Sequence, residues 1–184
     1  GHDRVFSVAG SEIAPAWSPY AGLWLHYLDD PLRQVTVAAD GTETETSLMS
    51  HRLLGHVVVG IGLFDWVELD VGLPVVLSAG GDSVRFPGVS DAVPGDLRVN
   101  LRVRALGRDD AQQGFGLAIA LGLAFPTGPQ ESLAGDGGVM IHPRVDLAYQ
   151  AGPVMVALNL GVAIRTAREP FGNLDLDQEL TYGL

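Results

Sequence analysis

The chain has 184 residues, no cysteine, a net charge of −11 and only 11 lysines and arginines. Those numbers exclude a disulfide scaffold, a cysteine-ligated zinc site and a nucleic-acid partner, since no basic surface is available to neutralise phosphates. Hydrophobic residues make up 47% and mean hydropathy is +0.22, yet nothing approaches the ~18 consecutive apolar residues of a membrane helix: the best run, 115–125, is short and broken by Gly116 and Gly122.

In chain order, residues 1–19 read as a loosely ordered lead-in. Gly1-His2-Asp3-Arg4 is not followed by an apolar stretch of signal-peptide type, so the chain is read as a mature, exported form. From residue 20 the dominant signal is a period of two. Segment 20–28 is the first candidate strand. Segment 53–63 sets Val57, Val59, Ile61 and Leu63 opposite His56, Gly60 and Gly62. Segment 66–77 sets Val67, Leu69, Val71 and Leu73 opposite Glu68, Asp70, Gly72 and Pro74. Residues 97–104 alternate most strictly, with Leu97, Val99, Leu101 and Val103 against Arg98, Asn100, Arg102 and Arg104. As a helix this run would scatter arginines over every face; as a strand it gives one apolar face and one charged face. In 114–125 the second face is all small, from Gly114 to Ala124. Segment 139–149 opposes Ile141, Val145 and Leu147 to His142, Arg144 and Asp146, segment 154–165 repeats the alternation, and 176–184 makes the last strand.

These are about eight strands, most of them ~10–12 residues long, where globular strands average ~5–6 and tilted bilayer-crossing strands need ~9–11. Their connections alternate in length. Tight turns at 64–65 and 151–153 and a moderate one at 107–113 lie between long polar loops at 29–50, 80–95, 127–138 and 166–175. Short turns at one end and long loops at the other predict an all-β fold, an antiparallel up-and-down transmembrane β-barrel spanning 20–184, with short turns on the periplasmic side. A soluble β-sandwich shares the alternation; strand length and loop asymmetry favour the barrel.

The aliphatic faces of the six central strands carry no charge. Tyr20, Tyr27, Phe64, Trp66, Phe125 and Tyr149 stand near strand ends and suit an aromatic girdle at the lipid interfaces. The opposite face predicts a charged lumen: Arg98, Arg102, Arg104 and Arg144 with Glu68, Asp70, Asp96, Asp146 and Glu179. Small residues in 114–124 leave room for guanidinium groups to reach carboxylates on adjacent strands. Buried charges are tolerated only when paired and hydrogen-bonded. Such a lumen is either a pore lining or a packed polar plug, and a barrel of about eight strands favours the plug.

No catalytic residue, metal site or cofactor is predicted. Asp175-Leu176-Asp177 and Gly135-Asp136-Gly137-Gly138 lack the ligand spacing of a calcium loop. His2, His26, His51, His56 and His142 form no zinc pair. Ser47 and Ser50 near His51 have no acidic orienter for hydrolytic chemistry.

The run Gly62-Leu63-Phe64-Asp65-Trp66-Val67-Glu68-Leu69-Asp70-Val71-Gly72-Leu73-Pro74 carries a further signal. It is followed by Gly95-Asp96-Leu97-Arg98, Leu123-Ala124-Phe125-Pro126-Thr127-Gly128 and Glu179-Leu180-Thr181-Tyr182-Gly183-Leu184. This series resembles the N-terminal barrel of OmpA-like outer-membrane proteins of the myxobacterial type, over roughly residues 20–184. The resemblance implies a bacterial outer-membrane location and a structural, anchoring or surface-display role, with outer-membrane lipid as the partner. It also implies a peptidoglycan link only through a domain absent from this sequence. Leu184 stands where such barrels end in an aromatic residue, which predicts further strands and a fragment of a larger barrel, with a diffusion porin as the alternative.

Overall fold

The computed structural model describes residues 10–38, 40–83, 86–107, 113–130, 134–135, 137–171 and 174–184. They form β1 (Pro19–Val37), β2 (Glu43–Phe64), β3 (Val67–Ser83), β4 (Phe86–Val89), β5 (Val93–Pro94), β6 (Leu97–Leu106), β7 (Gly114–Phe125), β8 (Met140–Ala151), β9 (Val154–Phe171) and β10 (Leu174–Gly183). A single antiparallel sheet runs β1-β2-β3-β6-β7-β8-β9-β10, with β4 and β5 both paired to β3. It curls into a half-barrel of eight strands, as an up-and-down barrel wall does. Among the described residues no helix is long and apolar enough to cross a membrane.

Alternation dictates how the sheet faces. Register rows such as Val71 with Val99 and Leu123, or Asp70 with Asn100 and Gly122, keep apolar residues with apolar and polar with small. A slip of one residue would exchange the two faces, so the pattern fixes the register. The convex face carries exposed Leu25, Val59, Ile119, Leu121 and Val156, while Glu68, Asp70, Arg102 and Asp146 are buried on the concave face. On these strands the large apolar side chains thus point outward and ionised ones inward.

Four expectations need correction. The segment 29–50 is not a long loop: β1 and β2 stay paired out to Val37 with Glu43. Their β-branched Val35, Thr36, Val37, Thr44 and Thr46 suit a strand, and the turn closes on Asp40, Gly41 and Thr42. There Thr42 N donates to Asp40 Oδ1 at 2.9 Å, which holds the Asp40 carboxyl below its usual range. Gly41 supplies the positive φ of 82° that the turn requires. Likewise 166–175 is largely ladder, with β9 reaching Phe171 and β10 beginning at Leu174. In 80–95, β3 continues to Ser83 and the chain returns as β4 and β5. β6 pairs with β3 only up to Gly72, so these short strands cover the edge above it.

The lead-in is the fourth. Residues 1–9 lie outside the described residues, but 10–18 are ordered. Ser11, Ile13 and Ala14 are buried, and Ala16 forms a parallel bridge with Gly62. Asp136 and the side chains of Asp175 and Asp177 also lie outside the described residues.

Candidate functional site on the concave face

β6, β7 and β8 place the charges. Arg102 pairs across the ladder with Ala120, and Ala120 with Arg144; one step along, Ala118 pairs with Asp146. Because β7 presents only methyl groups here, Arg102 passes over it. Its Nε lies 3.4 Å from Asp146 Oδ2, while Nη1 lies 3.3 Å from Glu68 Oε1 on the other side. Asp146 also accepts from Arg144, Nε to Oδ1 at 2.6 Å and Nη2 to Oδ2 at 3.2 Å. The side chains of Arg102, Glu68 and Asp146 are 1%, 1% and 0% exposed, so these three are enclosed, and Arg144, 23% exposed, ends the lattice at the surface. Charges alternate along it, which is how burial of three ionised groups becomes tolerable.

The N-terminal segment completes the lattice. Ala14 N donates to Glu68 Oε2 at 2.7 Å and Tyr20 Oη to Glu68 Oε1 at 2.7 Å. Arg102 Nη2 donates to the Gly10 carbonyl, and Arg104 Nη1 lies 3.8 Å from Glu12 Oε2. Ala16 N donates to Asp65 Oδ1 in the β2–β3 turn at 3.1 Å. A bare backbone makes this approach possible: a Cβ on Gly62 would lie 2.1 Å from the Pro15 carbonyl oxygen. Residues 10–16 therefore cap the concave face at the end where the short turns lie.

Toward the opposite end the same face opens into a cavity of about 340 Å³. Asp70, Arg98 and Asn100 line it from the β3 and β6 side, His142 and Arg144 from β8, and Trp24 and His56 from β1 and β2. Asn100 Nδ2 donates to Asp70 Oδ1 at 2.7 Å. His142 Nε2 and Thr181 Oγ1 share a hydrogen bond at 2.8 Å. The Trp24 and His56 rings meet edge to face with centroids 6.2 Å apart. Among the described residues no cluster of three or more His, Asp or Glu is placed to hold a metal ion.

The remaining lumen candidates do not join these groups. Glu179 pairs with Arg165, Nη1 to Oε1 at 3.1 Å, near the β9–β10 edge. Asp96 is buried but works as a loop clasp: Gly128 N donates to its Oδ1 at 2.9 Å, beside the Leu97 N–H bonded to Thr127 Oγ1 at 2.9 Å.

Of the aromatic candidates, Phe64 and Trp66 stack with centroids 5.7 Å apart, and Tyr149 is exposed on the convex face at the same end. Tyr27 and Phe125 are exposed toward the other end. Tyr20 is a correction: it faces inward, its ring end filling the space over Gly60 and its hydroxyl on Glu68. Parity places it so, since it pairs with Gly60 on the concave side while Ala21 and Leu23 face out. Sequence reading missed Phe115, which is exposed on the convex face in register with Tyr149; its odd position in 114–125 was the available signal. It also missed the cavity, whose lining comes from six strands and forms no local motif. Comparison with known proteins finds no matching family model, no matching curated protein and no matching solved structure.

Proposed function

We propose that this chain is the wall of a bacterial outer-membrane β-barrel with a structural, anchoring or surface-display role. The observation that carries this reading is the uncovered convex face. Leu25, Val59, Phe115, Ile119 and Val156 project from it, and no second sheet packs on it among the described residues. Phe115 and Phe125 are ten residues apart on β7, about 33 Å at ~3.3 Å per residue. At a tilt of ~40° that gives a height of about 25 Å, the thickness of a barrel's apolar band. β1 and β2, at 19 and 22 residues, exceed the ~9–11 needed to cross. Their surplus, with Asp40, Glu43, Thr44 and Glu45, stands beyond the lipid as a displayed hairpin. The capped, charge-paired concave face favours a plug over an open channel. OmpA-like proteins remain the family whose hairpin phrases this chain resembles.

A wider diffusion porin is the second reading, favoured by one observation: among the described residues the edge strands β1 and β10 do not pair with each other, so the eight strands form an open sheet. The test is vesicle flotation. The chain, diluted from denaturant into phosphatidylcholine vesicles, is expected to float with the lipid and to retain protease-resistant strands. A folded monomer that stays in the aqueous fraction would sink the membrane reading. Steady conductance across a planar bilayer would favour the porin over the plug.

A further inference from the structure

The concave cavity has a chemistry that wall-building does not require. β7 forms its floor, where Gly122 and Ala124 bring almost no side chain. β6 and β8 form two walls, because Arg98 aligns with Ala124 and Met140, and Asn100 with Gly122 and His142. Trp24 of β1 faces them, its six-membered ring lying against Gly22, where a Cβ would come within 2.5 Å of it.

Each wall offers a different kind of contact. Arg98 is exposed and forms no ion pair with a carboxylate among the described residues, whereas Arg144 is already committed to Asp146. Asn100 is oriented: its amide nitrogen donates to Asp70, which turns its oxygen over Gly122, 2.9 Å from where a Cβ would stand. It therefore presents an acceptor to the floor. Trp24 supplies an apolar ring and Asp70 a fixed acceptor. A simple anion would use Arg98 but gain nothing from Trp24 and be repelled by Asp70. A metal ion has no donor cluster among the described residues. A sugar ring bearing a carboxylate uses all of them: its C–H face on the indole, its hydroxyls on Asp70, Asn100 and His142, and its carboxylate on Arg98.

We propose that the cavity is a binding subsite for an acidic sugar of the hexuronate class, free or at the end of an oligosaccharide. The cavity lies on the face opposite the apolar one, so this stands whether or not the convex face meets lipid. The test is calorimetric titration of the folded chain in an amine-oxide detergent, which carries no sugar headgroup. Galacturonate is the probe, with galactose and acetate as comparisons. Galacturonate is expected to saturate one site, with galactose and acetate each weaker by about tenfold or more. Arg98→Gln should erase the preference over galactose, and Trp24→Leu should weaken both sugars. Arg98 is outside the buried ion lattice, so its replacement should leave the circular dichroism of the sheet unchanged. Ala124→Leu, which fills the floor, gives an independent variant expected to abolish binding. Acetate binding as well as galacturonate, an absence of saturation, or an undiminished preference in Arg98→Gln would each overturn the proposal.

Discussion

Arg102 shows how one side chain can hold a curved sheet to itself. It touches carboxylates on β3 and β8 while rooted on β6, so it spans four adjacent strands. Removing it takes the Arg102 cation from buried Glu68, which keeps the Ala14 N and Tyr20 Oη donors, and leaves Asp146 with Arg144. Arg102→Ala is expected to destabilise the fold by about 3–5 kcal/mol, read as a lower unfolding midpoint in denaturant, without any gain of ion flow. A freely conducting variant of unchanged stability would count against the lattice as a plug. Part of this was legible in the sequence, since strict alternation in 97–104 and the small face of 114–124 already suggested that guanidinium groups could reach across. The particular partners were not, because they depend on the offset between β6 and β8, which no local pattern encodes. Tyr20 illustrates the same limit: as a strand-end aromatic it read as girdle, and only its pairing with Gly60 turns it inward.

At the scale of elements, the eight principal strands were legible because a period of two survives any tertiary context that keeps one face apolar. Their outer ends were not. The β1–β2 arm alternates threonine, glutamate and valine, a composition that reads as loop by polarity yet pairs as strand by shape. Residues 10–18 were equally opaque, since they have no period and owe their order to groups elsewhere: Glu68, Arg102, Asp65 and the bare Gly62. Gly62→Val places a side chain where the Pro15 and Ala14 carbonyls now lie. Backbone cannot yield as a flexible side chain can, so the segment should be displaced while the sheet persists. Limited proteolysis should then cut within 10–16, with cleavage faster by about tenfold, the ratio that a loss of ~1.4 kcal/mol in docking would give. Equal resistance in variant and parent would mean that the segment is held by something other than this approach.

For the whole molecule, the decisive quantity is what a charge costs on the convex face. Val59 is 56% exposed in the isolated chain. If water bathes it, Val59→Arg should change stability by no more than ~0.5 kcal/mol, the usual span for surface substitutions. If lipid does, the cost should approach ~2–4 kcal/mol for a site near the bilayer midplane, seen as a lower midpoint for unfolding from vesicles. Equal midpoints would argue against burial in hydrocarbon. The all-β class and meander order followed from alternation, whereas the curvature of the sheet did not, because it depends on how many strands share the ring.

The bare inner face of β7 has a consequence for how such a protein can change. Ala118 and Ala120 lie beneath the ion lattice, and Gly122 and Ala124 beneath the cavity. One strand thus meters two unrelated properties along its length. Enlarging Ala118 or Ala120 crowds Arg102 and threatens the fold, and a side chain at Gly122 would push on Asn100, while enlarging Ala124 narrows the cavity. Variation in capacity therefore has a safe address, Ala124, where a lineage could resize the interior without disturbing the lattice.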